Sequence, residues 1–523
     1  MNARPLPVAV VDAAGASACD SAAIAAGIPS RALMQRAGAA AVGEIVRRFA
    51  DRLDAGVVVA TGPGNNGGDG WVVAHALHAA RVRVRVVECA RALTGDARAE
   101  RAEALAAGVD ATASIGDLLS GGESIVVDAL LGTRLSADGS LRGDIAAAVE
   151  SLNRLAERGA TLVALDVPTG LVASTGKSSG GLRCALTITF GTMKRGHLVA
   201  RGACGTIVVV DIGLGAHARD AGERMRLATA AWFTESLPPI PAAAHKGTRK
   251  KIVIVGGAKG MAGAVVLAAR AALRSGAGLV RCVVAPESLA AIQEGEPAAL
   301  AAAWPADDTE LAALAEWADA MLIGPGLGGG AAREMVTRLL GAWSGAVVLD
   351  ADALNAFAGD LSALRGSIGE RPALLTPHPA EFGRLTGLDV DTVLAERFDA
   401  PARLARETGA AVLLKGVPTT VASPDGPTHV VAEGTPVLAT GGAGDLLGGI
   451  AVTLLAQCKD AARAGALAAF AHGRAAAAVS ARQVRGYTLD DVMHALPAVW
   501  GLGADLPRPP VLAELPAVGE PQR

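Results

Sequence analysis

The fold is decided by Val57-Val58-Val59-Ala60-Thr61-Gly62-Pro63-Gly64-Asn65-Asn66-Gly67-Gly68-Asp69-Gly70. The run Val57–Ala60 is continuously apolar and β-branched, the pattern of a strand buried on both faces. It ends in a segment of five glycines, two asparagines and an aspartate, ahead of a helical stretch starting near Trp71. Glycine lets backbone approach a ligand closely, and the free N–H groups of a helix N-terminus favour an anion. Strand, Gly-rich turn and helix form the unit of a parallel α/β sheet, whose ligands bind beyond the carboxyl ends of the strands. Five glycines with Asn-Asn and Asp exceed what a simple turn needs, so the segment reads as a functional loop.

The same rhythm extends in both directions. In the first half, strands are expected at Val57–Ala60, Val82–Val87, Ser124–Asp128, Thr161–Asp166, Leu186–Phe190 and Thr206–Val210. In the second half they are expected at Lys251–Val255, Leu279–Val284, Ala320–Ile323, Ala346–Leu349, Ala373–Leu375 and Ala411–Leu414. A chain of 523 residues exceeds one core, and three prolines fall within Pro238–Pro241, where neither helix nor sheet interior continues. The expected organisation is a domain at 1–235, a Pro-rich linker at 236–247, a second domain at 248–505 and a loose tail at 506–523.

Composition excludes several classes. Lys plus Arg is 48 against 51 Asp plus Glu, a net charge of −3, which lacks the basic excess of a nucleic-acid binder. Hydrophobic residues reach 51%, yet no run attains the roughly 18 apolar residues of a membrane helix, so no membrane partner is expected. Met1–Val11 does not read as a secretory signal. The six cysteines are scattered without a CxxC pair, which fits free thiols in the cytoplasm. Ala-rich helical faces make a homo-oligomer the expected state.

Chemistry-bearing residues cluster after the strands. Asp128 and Asp166 each end one, in Asp128-Ala129-Leu130-Leu131-Gly132-Thr133 and Asp166-Val167-Pro168-Thr169-Gly170. Either alone reads as a helix cap. Together with Asn65, Asn66 and Asp69 they gather hard oxygen donors at one sheet edge, suited to an alkali or alkaline-earth cation or to an anionic ligand's counter-ion. Lys194 follows a further strand, as a phosphate contact or a solvated surface lysine. In the second half, Thr440-Gly441-Gly442-Ala443-Gly444-Asp445 opens a long apolar helix. Its glycines suit an anion hole for a transferred phosphoryl group, and Asp445 is placed to take a hydroxyl proton. Lys415-Gly416-Val417-Pro418-Thr419 suits nucleotide phosphates, and His378 stands between two prolines as a candidate ligand contact. Asp350, Asp352 and Asn355 form a cap or a polar wall. No Walker A motif occurs.

The ordered motifs GPGNNGGDG, DALLGT, LDVPTG and TFGTMKRG resemble the NAD(P)H-hydrate epimerase (YjeF N-terminal) family over about residues 5–215. The resemblance implies a Rossmann-like three-layer αβα fold that interconverts the R and S forms of NADHX and NADPHX, hydrated at nicotinamide C6. It implies substrate contacts at Asn65, Asn66, Gly67, Gly68, Asp69, Gly132, Thr133, Asp166 and Lys194, with Asp166 moving the proton. It also implies K⁺ bound by Asn66, Asp128 and Thr169. Two departures stand out: Arg134 replaces a usual Gly, and Val172 follows Leu171 where Asp is usual. The second half, about 245–495, is similar to the ADP/ATP-dependent NAD(P)H-hydrate dehydratase family of the ribokinase-like α/β superfamily, through HKG, GGAKGMAGA, RSGAGLV, GPGLG, LDADALN, LTPHPAEF, LLKGVPTT and TGGAGD. This implies hydrate contacts at Ala264, Gly328 and His378, nucleotide contacts at Lys415, Gly416, Val417, Pro418, Thr419 and Gly444, and Asp445 as base. Ala443 stands where Thr is common. ADP with Mg²⁺ is the implied phosphoryl donor. Two other readings remain open: a small-molecule kinase using the same TGGAGD segment, and a first half that binds without catalysing.

Overall fold

The computed structural model describes residues 7–329, 332–480, 485–501 and 508–518. They divide into two compact units. The first comprises the described residues through Leu227 with segment 508–518, and the second comprises the described residues 228–501.

In the first unit seven strands lie parallel, in the order Thr206–Val210, Leu186–Phe190, Thr161–Leu165, Ile125–Ala129, Val57–Thr61, Val84–Glu88 and Asp110–Thr112. Val57 and Val59 enter one apolar cluster with Trp71 and Leu77, while Val58 and Ala60 enter another with Leu118 and Leu152. Helices therefore cover both faces, and the strands are apolar throughout because neither face meets water. From Val57–Thr61 the chain moves outward through Val84–Glu88 to Asp110–Thr112. It then returns to the opposite side at Ile125–Ala129. The strand order reverses between Val57–Thr61 and Ile125–Ala129, and such a reversal opens a crevice at the carboxyl ends. Ala9–Val11 pairs parallel with Thr192–Lys194 and antiparallel with Met225–Leu227.

In the second unit the parallel order is Leu300–Ala303, Leu279–Val284, Lys251–Val255, Ala320–Ile323, Ala346–Leu349, Ala373–Leu375 and Ala411–Leu414. Thr419–Ala422 and Thr428–Val431 extend it antiparallel. The order reverses between Lys251–Val255 and Ala320–Ile323. Ile252 and Ile254 face one core, and Val253 and Val255 the other. The Ala-rich helix Ala461–Ser480 lies largely in this unit's own core, so most of its small residues serve internal packing.

Two organisational expectations change. The division falls at Leu227/Ala228 instead of within 236–247. Helix Ala230–Ser236 belongs to the second unit because Phe233 stacks on Phe470 at 4.6 Å and Arg463 donates to the Ser236 carbonyl at 2.6 Å. The end of the chain is not a loose tail over its described part. Val511–Leu515 adds antiparallel to Thr206–Val210 and closes the sheet edge. All six cysteines are free thiols. No helix among the described residues is long and apolar enough to cross a membrane.

The returning strand buries Ala513 and Leu515 and pairs Glu514 with Arg48 at 2.7 Å. Burial of those side chains is worth on the order of 2 kcal/mol. A chain ending at residue 507 should therefore melt about 5 °C lower in its first unit, with the second unit's calorimetric transition in place. An unchanged first transition would show the strand to be dispensable.

Candidate active sites

A cavity of about 220 Å³ opens at the reversal point of the first sheet. Asn65, Asn66, Asp69, Gly132, Thr133, Asp166 and Lys194 all line it. Gly67 and Gly68 do not. The expected loop is in fact helix, since Asn65–Ala79 begins at the first asparagine and not near Trp71. None of Gly62, Gly64, Gly67, Gly68 or Gly70 has a positive φ. These glycines are present for space. A Cβ on Gly62 would strike the Leu130 carbonyl, one on Gly67 the Gly62 carbonyl, and one on Gly70 would lie 2.5 Å from Ala129 Cβ. Close packing overrides the poor helix propensity of glycine and lets the helix N-terminus sit directly over the strand end.

Asp166 lies one residue past its strand, with φ +62°, an uncommon conformation that short polar side chains tolerate. Its backbone N–H donates to Ile188 at 2.8 Å, and its Oδ1 accepts from Lys194 Nζ and, at 3.0 Å, from Thr189 Oγ1. Burial alone would raise this carboxyl, but Lys194 beside it holds it below the usual range. Lys194 is only 2% exposed, so it is neither solvated nor open for a phosphate; its ammonium is committed to Asp166, Thr189 and the Thr192 carbonyl. Asp69 behaves oppositely. Burial, then Asp166 and Asp20, push it well above the normal value.

Beneath the cavity, Asp128 is fully buried. Its oxygens accept from Thr169 N at 2.8 Å, Thr169 Oγ1 at 2.8 Å and Leu130 N at 3.1 Å. Burial raises it to about 6. No Lys or Arg pairs with it among the described residues. With its amide turned, Asn66 meets the Leu165 carbonyl at 3.1 Å and Gly132 N at 3.2 Å. Asn66, Asp128 and Thr169 thus share one neighbourhood: a neutral amide and a hydroxyl near one buried carboxylate that lacks a side-chain counter-ion.

The second site lies at the carboxyl ends of the second sheet. Lys415 Nζ donates to Asp350 Oδ1 at 2.6 Å, and a Cβ on Gly444 would sit 3.1 Å from the same ammonium. Burial would lower Lys415, but Asp350 and then Glu381 raise it. Asp445 stands in the first turn of helix Ala443–Cys458, after Gly442 at φ +92°. Burial, with Asp350 nearby, pushes its carboxyl up to about 6 despite Lys415. Ala443 N–H is occupied by the Thr440 carbonyl at 3.2 Å and that of Asp445 by Gly442 at 3.1 Å. Among the described backbone hydrogen bonds, the Gly444 N–H has no carbonyl partner, so the anion-facing donor is Gly444, one residue beyond the Ala443 departure.

Gly326 and Ala264 adjoin, since a Cβ on Gly326 would meet Ala264 Cβ at 3.4 Å. Gly328, at φ +83°, donates to Asp352 Oδ2 at 2.8 Å. His378 caps helix Pro379–Thr386, its Nδ1 accepting from Ala380 N at 3.1 Å and Glu381 N at 3.3 Å. Those donors occupy Nδ1, while Nε2 lies 3.5 Å from Glu381 Oε1. Within 415–419, Gly416 and Val417 are exposed, Pro418 is buried, and Thr419 donates to the Gly416 carbonyl at 2.7 Å. The Thr419 hydroxyl therefore shapes the turn that presents the segment.

The comparisons with known proteins follow this division. The family described as YjeF-related protein N-terminus matches residues 30–196, and NAD(P)H-hydrate dehydratase matches 252–498. The bifunctional NAD(P)H-hydrate repair enzyme of Moorella thermoacetica is 37% identical, covering 90% of this chain and 92% of its own length. That of Escherichia coli K12 is 33% identical, covering 89% and 88%. The chain belongs to the bifunctional NAD(P)H-hydrate repair enzyme family. A solved ADP/ATP-dependent NAD(P)H-hydrate dehydratase from Bacillus subtilis, co-crystallised with ATP/Mg²⁺, aligns at 28% identity over 52% of this chain and 96% of that one, with a TM-score of 0.46.

Arg134, one of the two departures from the family pattern, also lines the first cavity. Its guanidinium would lie 3.3 Å from a Cβ on Gly64, so it covers the start of helix Asn65–Ala79 at the cavity mouth. Sequence reading named Asp350 as a cap or a polar wall but not as the counter-ion of Lys415, and it missed Asp20 on the cavity wall; both relations need the tertiary fold to be seen.

The packing account makes a paired prediction. Gly67→Ala forces a Cβ into the Gly62 carbonyl and should destabilise the first unit by about 1–3 kcal/mol. Gly43→Ala, on helix Ser30–Phe49 with nothing within 4 Å of the new Cβ, should stabilise it by about 0.5–1 kcal/mol. Denaturant melts giving both variants the same sign would refute the role assigned to the glycines.

Proposed function

We propose that the first unit interconverts R- and S-NAD(P)HX and that the second dehydrates the S epimer to NAD(P)H, using ADP and releasing AMP and phosphate. The reading is carried by one observation. The carboxyl-end edge of each sheet holds a carboxyl of raised affinity for protons beside a lysine-held anion: Asp69 and the Lys194–Asp166 pair in the first, Asp445 and the Lys415–Asp350 pair in the second.

In the first cavity Asp166, kept ionised by Lys194, accepts the C6 hydroxyl proton as the hydrate reacts. Asn65, Asn66, Asp69, Gly132 and Thr133 hold the nicotinamide carboxamide and ribose. Gly67 and Gly68 contribute through packing. Potassium fits the donors around Asp128: one buried carboxylate, the Thr169 hydroxyl and the Asn66 amide are hard oxygens carrying a single negative charge. Potassium would neutralise that carboxylate and fix the floor of the cavity.

In the second site Ala264, Gly328 and His378 orient the hydrate, while Gly416 and Val417 with Lys415 receive the nucleotide. Asp445 takes the proton of the C6 hydroxyl as its oxygen attacks the β-phosphorus of ADP, and AMP departs. The Gly444 N–H and Lys415 face the charge that develops on the phosphoryl oxygens. The C6–O bond of the phosphate ester then breaks, helped by the ring nitrogen lone pair, and loss of a C5 proton restores the dihydronicotinamide. No group of three His, Cys, Asp or Glu side chains stands ready for a metal among the described residues. Mg²⁺ would accordingly arrive on the nucleotide phosphates and shield their charge. The unpaired thiols suit a reducing cytoplasm.

Asp445→Asn should lower kcat for S-NADHX with ADP by about 10²–10⁴-fold, with KM within a few-fold. Because the base must be ionised and its carboxyl is raised to about 6, wild-type kcat/KM should fall as pH drops through 6. Stopped assays of AMP and NADH across pH 5–8 check both. A stable phosphorylated product without NADH would replace this reading with a small-molecule kinase.

A further inference from the structure

Helix Ala13–Ala25 lays Ala16, Ser17, Asp20 and Ile24 along the wall of the first cavity. The spacing puts them on one helix face. Asp20 is the only ionisable group of that face, and no hydrogen bond or ion pair engages its carboxyl among the described interactions. It belongs to the same electrostatic cluster as the Asp166–Lys194 pair and Asp69. Neither family match reaches it, since the first begins at residue 30.

Epimerisation at C6 needs an acid as well as a base. The hydrate carbon carries a hydroxyl and the ring nitrogen, so it is a hemiaminal. Removal of the hydroxyl proton forms the C=O bond of an aldehyde. The C6–N1 bond breaks with its electron pair moving to N1, which must gain a proton. Rotation about C5–C6 presents the other aldehyde face, and the reverse steps close the opposite epimer. Lys194 is a poor proton donor here, being buried and held by three acceptors. Asp69 is 9% exposed and its carboxyl is pushed well above the usual range, so it exchanges poorly with water between turnovers.

We propose that Asp20 is the acid partner of Asp166, giving N1 its proton as the hemiaminal opens and recovering it on closure. This rests on the epimerase reading of the first unit. Its electrostatic setting agrees. Asp20 is exposed at the cavity edge, yet the surrounding protein desolvates it enough to push its carboxyl up to about 6, Lys194 opposes this, and Asp166 adds to it. The charged groups facing it across the cavity are Asp166, Asp69, Lys194 and Arg134. One wall thus holds an ionised carboxylate and the other a carboxyl that protonates near neutrality, the division of labour expected of an acid–base pair.

The test uses the full chain, with R-NADHX followed to the S epimer by chromatography without nucleotide. Asp20→Asn should lower the epimerisation kcat by about 10²-fold with KM within twofold, leaving dehydration of S-NADHX with ADP unchanged. Asp20→Glu should recover a substantial part of the rate. Wild-type kcat/KM should decline as pH rises through about 6, and the residual Asp20→Asn rate should lack that decline. A kcat within threefold of wild type, a rise in KM alone, or an Asp20→Glu variant as inactive as Asp20→Asn at an unchanged first melting transition would overturn the assignment. Loss of activity in Asp69→Asn but not in Asp20→Asn would give the acid role to Asp69. A wild-type chain that fails to epimerise at all would remove the epimerase reading itself, and this assignment with it.

Discussion

Burial of parallel strands on both faces constrains everything else in this protein. A strand such as Val57–Thr61 or Ala320–Ile323 offers no surface to a ligand along its length, because helices cover it above and below. Polar chemistry is confined to the carboxyl ends. There the strand stops, the chain turns, and a helix N-terminus supplies unpaired N–H groups. Both units place their reactive groups at the carboxyl ends of the strands, in the first at the position where strand order reverses and adjacent connections leave in opposite directions. Asp166 and Lys415 sit one residue past the strands Thr161–Leu165 and Ala411–Leu414, and Asp350 follows Ala346–Leu349.

The two sites solve a shared electrostatic problem in similar ways. Each buries an anion that would be costly alone, and each pairs it with a lysine reaching from a neighbouring connection. The paired carboxylates, Asp166 and Asp350, are compensated. The carboxyls left without a lysine of their own, Asp69 and Asp445, are driven toward their protonated forms. Environment thus separates side chains of identical chemistry into different roles.

Legibility in the sequence followed the same physics. The six strands expected in the second half coincide with those observed, because continuous apolar runs bounded by turns leave little choice of register. Short edge strands such as Asp110–Thr112 and Leu300–Ala303 lack such a run and escaped notice. Val511–Leu515 was hidden by surrounding prolines, since its partner lies some 300 residues earlier. The start of helix Asn65–Ala79 was misplaced because glycine argues against helix locally, whereas here it is demanded by contact with Gly62 and Ala129. Motif order pointed to Asp166 and Lys194, which line the first cavity, and to Lys415 and Asp445 at the carboxyl ends of the second sheet. It could not reveal that Lys194 is buried, that His378 caps a helix, or that Asp350 and Asp20 face the reacting groups, since those relations exist only after folding.

The central claim, that two independent centres repair one damaged metabolite in succession, is tested most directly by complementation. A mixed preparation of R- and S-NADHX with ADP and Mg²⁺ is followed at 340 nm, using Asp166→Asn and Asp445→Asn chains separately and together. The account predicts that the Asp166→Asn chain restores only the S portion beyond spontaneous epimerisation, that the Asp445→Asn chain restores none, and that the mixture restores all. Complete restoration at the wild-type rate by the Asp166→Asn chain alone, or a mixture that stops at the S portion, would contradict it.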